Sequence, residues 1–229
     1  MHTTQPHHWD TALPIQRRQH RILSDKDIDD LTRISEGRSI RPVLLLGLYG
    51  GLRPEEIAGL AWDQVDIAHR SVHITEVRTR MNTGEEITKR PKTEGSSRTI
   101  TLPDVVLQAL KDAPRPHRLV CVTPEGTPYT LDAMRRAVTR LSQYINAERA
   151  KANRIAPMPQ ITQRDLRHSR AALLIRLDVH PKVISKRLGH TSIKVTMDTY
   201  GYLMSGMQYT AVDAINEHVQ VGVSGSRGA

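Results

Sequence analysis

After Thr130, apolar residues return at Leu131, Met134, Val138, Leu141 and Ile145. That alternation of three- and four-residue steps lines one face of an α-helix, and a threonine hydroxyl just ahead of it caps the first turn. The pattern predicts a long helix to about Ala147, so the chain should fold mainly by burying helical stripes. Other segments carry similar punctuation. Ser24 opens a helix to about Ser35, stopped by Gly37, and a strongly apolar helix runs from Pro42 to Tyr49 until Gly50-Gly51 breaks it. Pro54 sits in the first turn of Glu55 to Leu60, which leaves Arg53 on the loop at that helix mouth. Pro103 to Leu110 reads as helical, as does Thr162 to Leu177, where Asp165 completes a capping box. Pro181 to Leu188 ends at Gly189, and Thr191 or Ser192 starts a helix that includes Tyr200 and Leu203. Two-residue alternation is confined to Val72, Ile74 and Val77 and to Thr99 to Leu102, with turns at Gly84 and Gly95. Leu119 to Val122 reads as a short buried piece. The fold class expected is α+β, mainly α-helical, with a small antiparallel β-sheet on one side.

Residues 1–20 have no periodicity and read as a flexible arm, 21–206 as the folded domain, and 207–229 as an amphipathic helix, Ala211 to Val219, with a disordered Gly/Ser tail. Glu148 to Pro159 reads as a polar, basic linker. The chain has no Phe and only 3% aromatic residues, so its core must be aliphatic, which argues against binding single strands by aromatic stacking. Its formal charge of +9 favours a polyanionic partner, nucleic acid or an acidic membrane surface. One cysteine, Cys121, permits no internal disulfide, and no apolar run suggests a signal peptide or membrane span, so a reducing cytoplasm is expected. Cys and His show no metal-ligand spacing, and the Gly47, Gly50, Gly51 cluster lacks the lysine of a phosphate loop. Asp27, Asp29 and Asp30 have the look of a metal nuclease, but they follow a helix cap, where carboxylates complement the dipole.

The segment Thr162-Gln163-Arg164-Asp165-Leu166-Arg167-His168 puts positions 164, 167 and 168 on one helical face, beside the free amides of a helix N-terminus. An arginine fork grips two phosphate oxygens at once, and Arg53 could complete a clamp on one phosphodiester. Taken singly, each arginine is better read as a surface solubiliser. Arg135, Arg136 and Arg140, opposite the apolar stripe, read equally as a DNA-facing or a solvated face.

Four stretches together resemble the tyrosine recombinase (phage integrase) family. Leu48 to Asp63, with Gly51-Leu52-Arg53-Pro54-Glu55-Glu56, is similar to its first arginine box. Pro91-Lys92-Thr93 leading into Ser97-Arg98-Thr99-Ile100 resembles its hairpin lysine, and Asp165-Leu166-Arg167-His168 its second arginine box. Leu188-Gly189-His190-Thr191-Ser192 with Thr199-Tyr200-Gly201 resembles its terminal histidine and nucleophile. The likeness runs from about residue 22 to 205. It implies that residues 21–206 form a catalytic domain that cuts and rejoins DNA through a 3′-phosphotyrosine, without metal, ATP or other cofactor. By resemblance Tyr200 is the nucleophile, with Tyr202 as rival; Arg53 and Arg167 hold the non-bridging oxygens; Lys92 protonates the leaving 5′ oxygen; His190 donates to the phosphate; and Glu56 orients the cluster. Arg135, Arg136 and Arg140 become DNA contacts, and 207–229 becomes an arm that docks on a neighbouring protomer. Expected partners are double-stranded attachment sites, a homo-tetramer on two duplexes, and accessory DNA-bending proteins, in the cytoplasm of a bacterial host.

The chain departs from the family pattern in two places. Where the family has histidine three residues before its second arginine, this chain has Arg164, too basic to act as a general base. Proton removal from Tyr200 then falls to electrostatic lowering of the phenol by Arg164, or to His168 or His190. The residues ahead of the match are also too few for the family's usual N-terminal DNA-binding domain. A catalytically impaired or truncated recombinase acting as a DNA-binding regulator is the alternative reading. A helix-turn-helix module over 181–203 and a relaxing topoisomerase or phosphodiesterase are further rivals.

Overall fold

The computed structural model describes residues 21–91, 97–152, 156–204, 212, 215 and 216. Helix α1, Asp25–Ile34, begins at Ser24, whose hydroxyl accepts from the Asp27 backbone while the Asp27 carboxylate reaches back to the cap. Helix α2, Arg41–Leu45, runs on into a π turn at Leu46–Gly50. Val43 through Leu46 and Leu48 are almost wholly withdrawn from water there and form the centre of the main core. Gly51, at φ +70°, turns the chain out of that helix into Arg53 and α3, Pro54–Gly59.

The β region comprises two small antiparallel units among the described residues rather than one sheet. β1 (Val65–Asp66), β2 (Ser71–Ile74) and β5 (Arg98–Thr101) form the first, with Ile74 opposite Arg98 and Val72 opposite Ile100. β3 (Val77–Arg80) and β4 (Glu86–Lys89) form a separate hairpin that turns through Gly84. β1 and β4 carry no apolar alternation and were not expected. Pro103 then caps α4, Asp104–Asp112. The 119–122 piece is buried, with Val120 and Cys121 in the main core, and it pairs through isolated bridges, Ala61 to Leu119 and Val122 to Pro128.

Helix α5, Leu131–Lys151, starts at Thr130 as expected and outlasts the predicted end. Its stripe Met134, Val138, Leu141 and Ile145 is buried. The first residues of the expected linker are helical because Arg149 is buried there, held by Asp27 at 2.8 Å and Asp30 at 2.9 Å. The acidic run on α1 thus binds an internal guanidinium. Helices α6 (Gln163–Arg176), α7 (Pro181–Leu188) and α8 (Ile193–Tyr200) enclose a second, smaller core of Ala171, Leu174, Ile175, Ile184, Leu188 and the Tyr200 ring. The last helix stops at Tyr200, and Leu203 lies in a 3₁₀ turn, Gly201–Met204. Among the described residues no helix is long and apolar enough to cross a membrane. Residues 1–20, Gly95 and most of 207–229, including the bulk of Ala211 to Val219, lie outside the described residues.

Candidate active site

Two helix ends and two helix starts meet where the arginine boxes converge. Gly51 ends the π turn and Gly189 ends α7, both in the left-handed conformation that glycine adopts at little cost. Helix C-termini leave carbonyl oxygens unpaired and carry partial negative charge, so they attract cations. Here the cations are Arg53 and Arg167. Arg167 donates from Nη1 to the Gly51 carbonyl and from Nη2 to the Leu188 carbonyl at 2.5 Å. Arg53 donates from Nη2 to the Gly189 carbonyl at 2.7 Å and from Nη1 to Glu56 Oε1 at 2.7 Å. Each guanidinium is fixed on one edge, which leaves its remaining N–H groups for another acceptor. Arg53 keeps 33% of its side-chain surface exposed, so a ligand can reach it.

Glu56 aims Arg53, and a residue not singled out in the sequence aims Glu56. The Glu56 carboxylate, 2% exposed, accepts the Arg53 backbone N–H at 2.8 Å and both Nη atoms of Arg98 at 2.8 and 2.9 Å. Arg98 also donates from Nε to the Arg187 carbonyl at 2.9 Å. It therefore ties β5 to the start of α3 and the end of α7 in one buried fork. Burial works to raise the Glu56 carboxyl, but hydrogen bonding and charge from Arg98, then from Arg53, outweigh it and hold it below the usual carboxylate range. A signal for Arg98 was present in the sequence. The alternation that turns Ile100 inward turns Arg98 inward too, and an arginine on a buried strand face requires a carboxylate.

Tyr200 and the histidines complete the cluster. Tyr200 Oη lies 2.6 Å from Nδ1 of His168, and the ring is only 2% exposed. Burial pushes the phenol up to about 12; Arg167 opposes this and Tyr202 adds to it. Burial, then the charges of Arg167, Arg53 and Arg98, pull His190 down to about 4, so it is neutral at neutral pH. Its Nδ1 lies 2.8 Å from the Thr196 hydroxyl. Burial and the neighbouring Arg53 pull Arg167 down to about 9, where it is still charged at neutral pH.

Not every predicted residue joins them. Arg164 is exposed while Arg167 is buried and His168 is intermediate, so a shared helical face does not bring Arg164 into the buried cluster. The difference lies along the helix axis: Arg164 is in the first turn of α6, whereas Arg167 and His168 lie about one turn further in, where the helix packs. Arg164 is also absent from the influences on the phenol, which are burial, Arg167 and Tyr202. At the α6 N-terminus the Thr162 amide is taken by the Asp165 carboxylate and the Asp165 amide by the Thr162 hydroxyl, and the carboxylate's charge opposes a phosphate there. Tyr202 is 60% exposed. Arg135, Arg136 and Arg140 are exposed on α5; Arg135 pairs with Asp132 at 3.3 Å. Arg140 edges a groove of about 1150 Å³ between the α1–α2 turn, α4 and α5, which shares no lining residue with the arginine cluster. Lys92 lies outside the described residues. Among the described residues no group of His, Cys, Asp and Glu is arranged to hold a metal ion.

The sequence pattern of the phage integrase family matches residues 21–204. A tyrosine recombinase XerC-like protein of Caldanaerobacter subterraneus subsp. tengcongensis is 25% identical over 210 residues, covering 85% of this chain and 54% of that protein. The ICEBs1 integrase of Bacillus subtilis is 27% identical over 180 residues, covering 73% of this chain and 46% of its own length. The chain thus spans about half the length of these curated relatives. Among solved structures, the Tn1549 transposon integrase in complex with transposon right end DNA superposes with a TM-score of 0.70 at 20% identity, covering 82% of this chain and 64% of that one. XerA recombinase superposes at 0.61 with 17% identity, covering 83% and 64%. At those identities the likeness establishes a shared fold, the tyrosine recombinase catalytic domain.

Proposed function

The chain belongs to the phage integrase family, and from that premise we propose that it cleaves and rejoins DNA at specific sites through a covalent 3′-phosphotyrosine link at Tyr200. The observation that carries this reading is the convergence of two anchored guanidiniums, Arg53 and Arg167, with His190 and the Tyr200 hydroxyl. A phosphodiester is inert because its anionic oxygens repel a nucleophile, and attack builds further charge on them. Preorganised donors aimed at that charge are worth several kcal/mol, on the order of a lost oxyanion-hole donor, about 3–4 kcal/mol. Arg53 and Arg167 are pinned on helix carbonyls before substrate arrives, so little reorganisation is needed.

Tyr200 Oη forms the bond to phosphorus, and the bond to the 5′ oxygen breaks. Lys92 delivers the proton that oxygen requires. When the Thr196 hydroxyl donates to Nδ1 of His190, the ring hydrogen sits on Nε2, a neutral donor to a non-bridging oxygen. The phosphotyrosine keeps the energy of the broken bond, so a second 5′-hydroxyl reverses the step without ATP, and the guanidiniums supply the positive charge that the phosphorane requires. In the free protein the phenol is buried and protonated, and DNA binding must bring phosphate and hydroxyl together. The exposed Arg135, Arg136 and Arg140 would contact the duplex as α5 docks. The substrate is a double-stranded attachment site, engaged as a tetramer on two duplexes with accessory DNA-bending proteins, and residues 207–229 dock between protomers.

The test is a nicked suicide duplex carrying a candidate attachment site. A denaturant-resistant protein–DNA adduct is expected from the unmodified protein and none from Tyr200→Phe. Binding without any adduct, or an adduct that persists in Tyr200→Phe, overturns the proposal.

A further inference from the structure

A phenol held at about 12 by burial cannot attack phosphorus unless some group takes its proton. The arginines around Tyr200 cannot do so, because a guanidinium has no lone pair to offer at neutral pH. His190 has its Nδ1 occupied by Thr196 and faces the phosphate site with the other nitrogen in the reading above. Arg164 is a cation on the outside of α6. His168 remains, and its Nδ1 lies 2.6 Å from Tyr200 Oη, within the reach required of a general base.

Resting on Tyr200 as the nucleophile, we infer that His168 is a catalytic residue, the general base that accepts the Tyr200 proton on cleavage and returns it on rejoining. With the ring hydrogen on Nε2, the Nδ1 lone pair points to the phenol. As Oη bonds to phosphorus and the 5′ oxygen departs, the Oη–H bond breaks and its proton becomes the Nδ1–H of an imidazolium. The departing 5′ oxygen takes its proton from the Lys92 ammonium of the proposed reaction, so both ends of the displacement balance. On rejoining, the imidazolium hands its proton back to the phenolate. Two features adapt His168 to this task. It stands immediately after Arg167, so the turn of α6 that carries the guanidinium anchored on Gly51 and Leu188 also carries the base. The side chain is partly exposed while the Tyr200 ring is not, which places the imidazole between the buried phenol and the outside.

The experiment uses the full chain, a duplex that it binds, and two variants. In His168→Asn the amide oxygen can still accept a hydrogen bond from Tyr200 but cannot take its proton. Single-turnover adduct formation is expected to fall about 100-fold or more, with DNA affinity and thermal midpoint unchanged. In His168→Ala, added imidazole is expected to restore adduct formation while leaving the unmodified protein unaffected. Both results are required. His168→Asn cleaving within a few-fold of the unmodified protein, or His168→Ala remaining inactive in imidazole, overturns the assignment of His168 and leaves Tyr200 in place. Absence of any adduct from the unmodified protein on bound DNA overturns the function itself.

Discussion

Replacing Arg98 with methionine should cost the fold about 3–4 kcal/mol. The guanidinium makes two hydrogen bonds, at 2.8 and 2.9 Å, to a carboxylate that is 2% exposed, and its own side chain is 7% exposed, so water screens little of the interaction. Removing one member of a buried ion pair costs about 3–5 kcal/mol, because the survivor is left charged and dry. Arg53 remains beside Glu56 at 2.7 Å, which puts the expected loss toward the lower end, and the orphaned Arg187 carbonyl adds about 1 kcal/mol. Glu56→Gln alone should be similarly harmful, since it leaves Arg53, Arg98 and Arg167 together without a carboxylate. The double variant should cost less than the sum of the singles, by about 2 kcal/mol. Equilibrium denaturation in urea at pH 7 measures all three. The pH dependence has a fixed sign. The Glu56 carboxyl is held lower in the folded state than in the unfolded one, so its contribution is present above the unfolded value and lost as pH falls through the folded one. The penalty of Arg98→Met should therefore shrink below about pH 4. A cost under about 1 kcal/mol, or singles that add to within about 0.5 kcal/mol, would refute the argument that Arg98 holds Glu56 and through it Arg53.

Two further outcomes follow from the same geometry. His190, pulled down to about 4, binds its proton more weakly folded than unfolded, so stability should fall as pH drops from about 6.5, the unperturbed value, toward 4. An NMR titration that finds the ring protonated at pH 6 would contradict it. Gly189→Ala should destabilise by about 1–2 kcal/mol for left-handed backbone, plus about 1–3 kcal/mol for overpacking. Its Cβ would fall 2.8 Å from Arg98 Nη1, which Glu56 and the Arg187 carbonyl prevent from moving. A thermal midpoint unchanged from the parent protein would count against that packing.

Local signals were legible in the chain. Ser24, Thr130 and Thr162 each cap a helix where their side chains predicted, Pro54 and Pro181 stand in first turns, and Gly51 and Gly189 close helices with positive φ. These features depend on residues within one turn of one another, a range over which sequence spacing and geometry are nearly equivalent. The apolar stripe of α5 was readable for the same reason. The order of the recombinase-like boxes was also visible, and with it the family.

What the tertiary structure decided lies in contacts between distant segments. Arg149 extends α5 past its predicted end because Asp27 and Asp30, more than a hundred residues earlier in the chain, come to meet it. β4 exists through pairing with β3 rather than through apolar alternation of its own. Arg98 was one basic residue among many until the fold laid it on Glu56, and Arg164 and Arg167 differed only by a turn of helix until packing buried one and exposed the other. Charge and hydrogen-bonding capacity are properties of each residue and can be read from the sequence alone. Whether a given arginine is a solvated decoration, an internal pin or a phosphate clamp depends on what stands within about 3 Å of it, and only the folded chain brings those partners together.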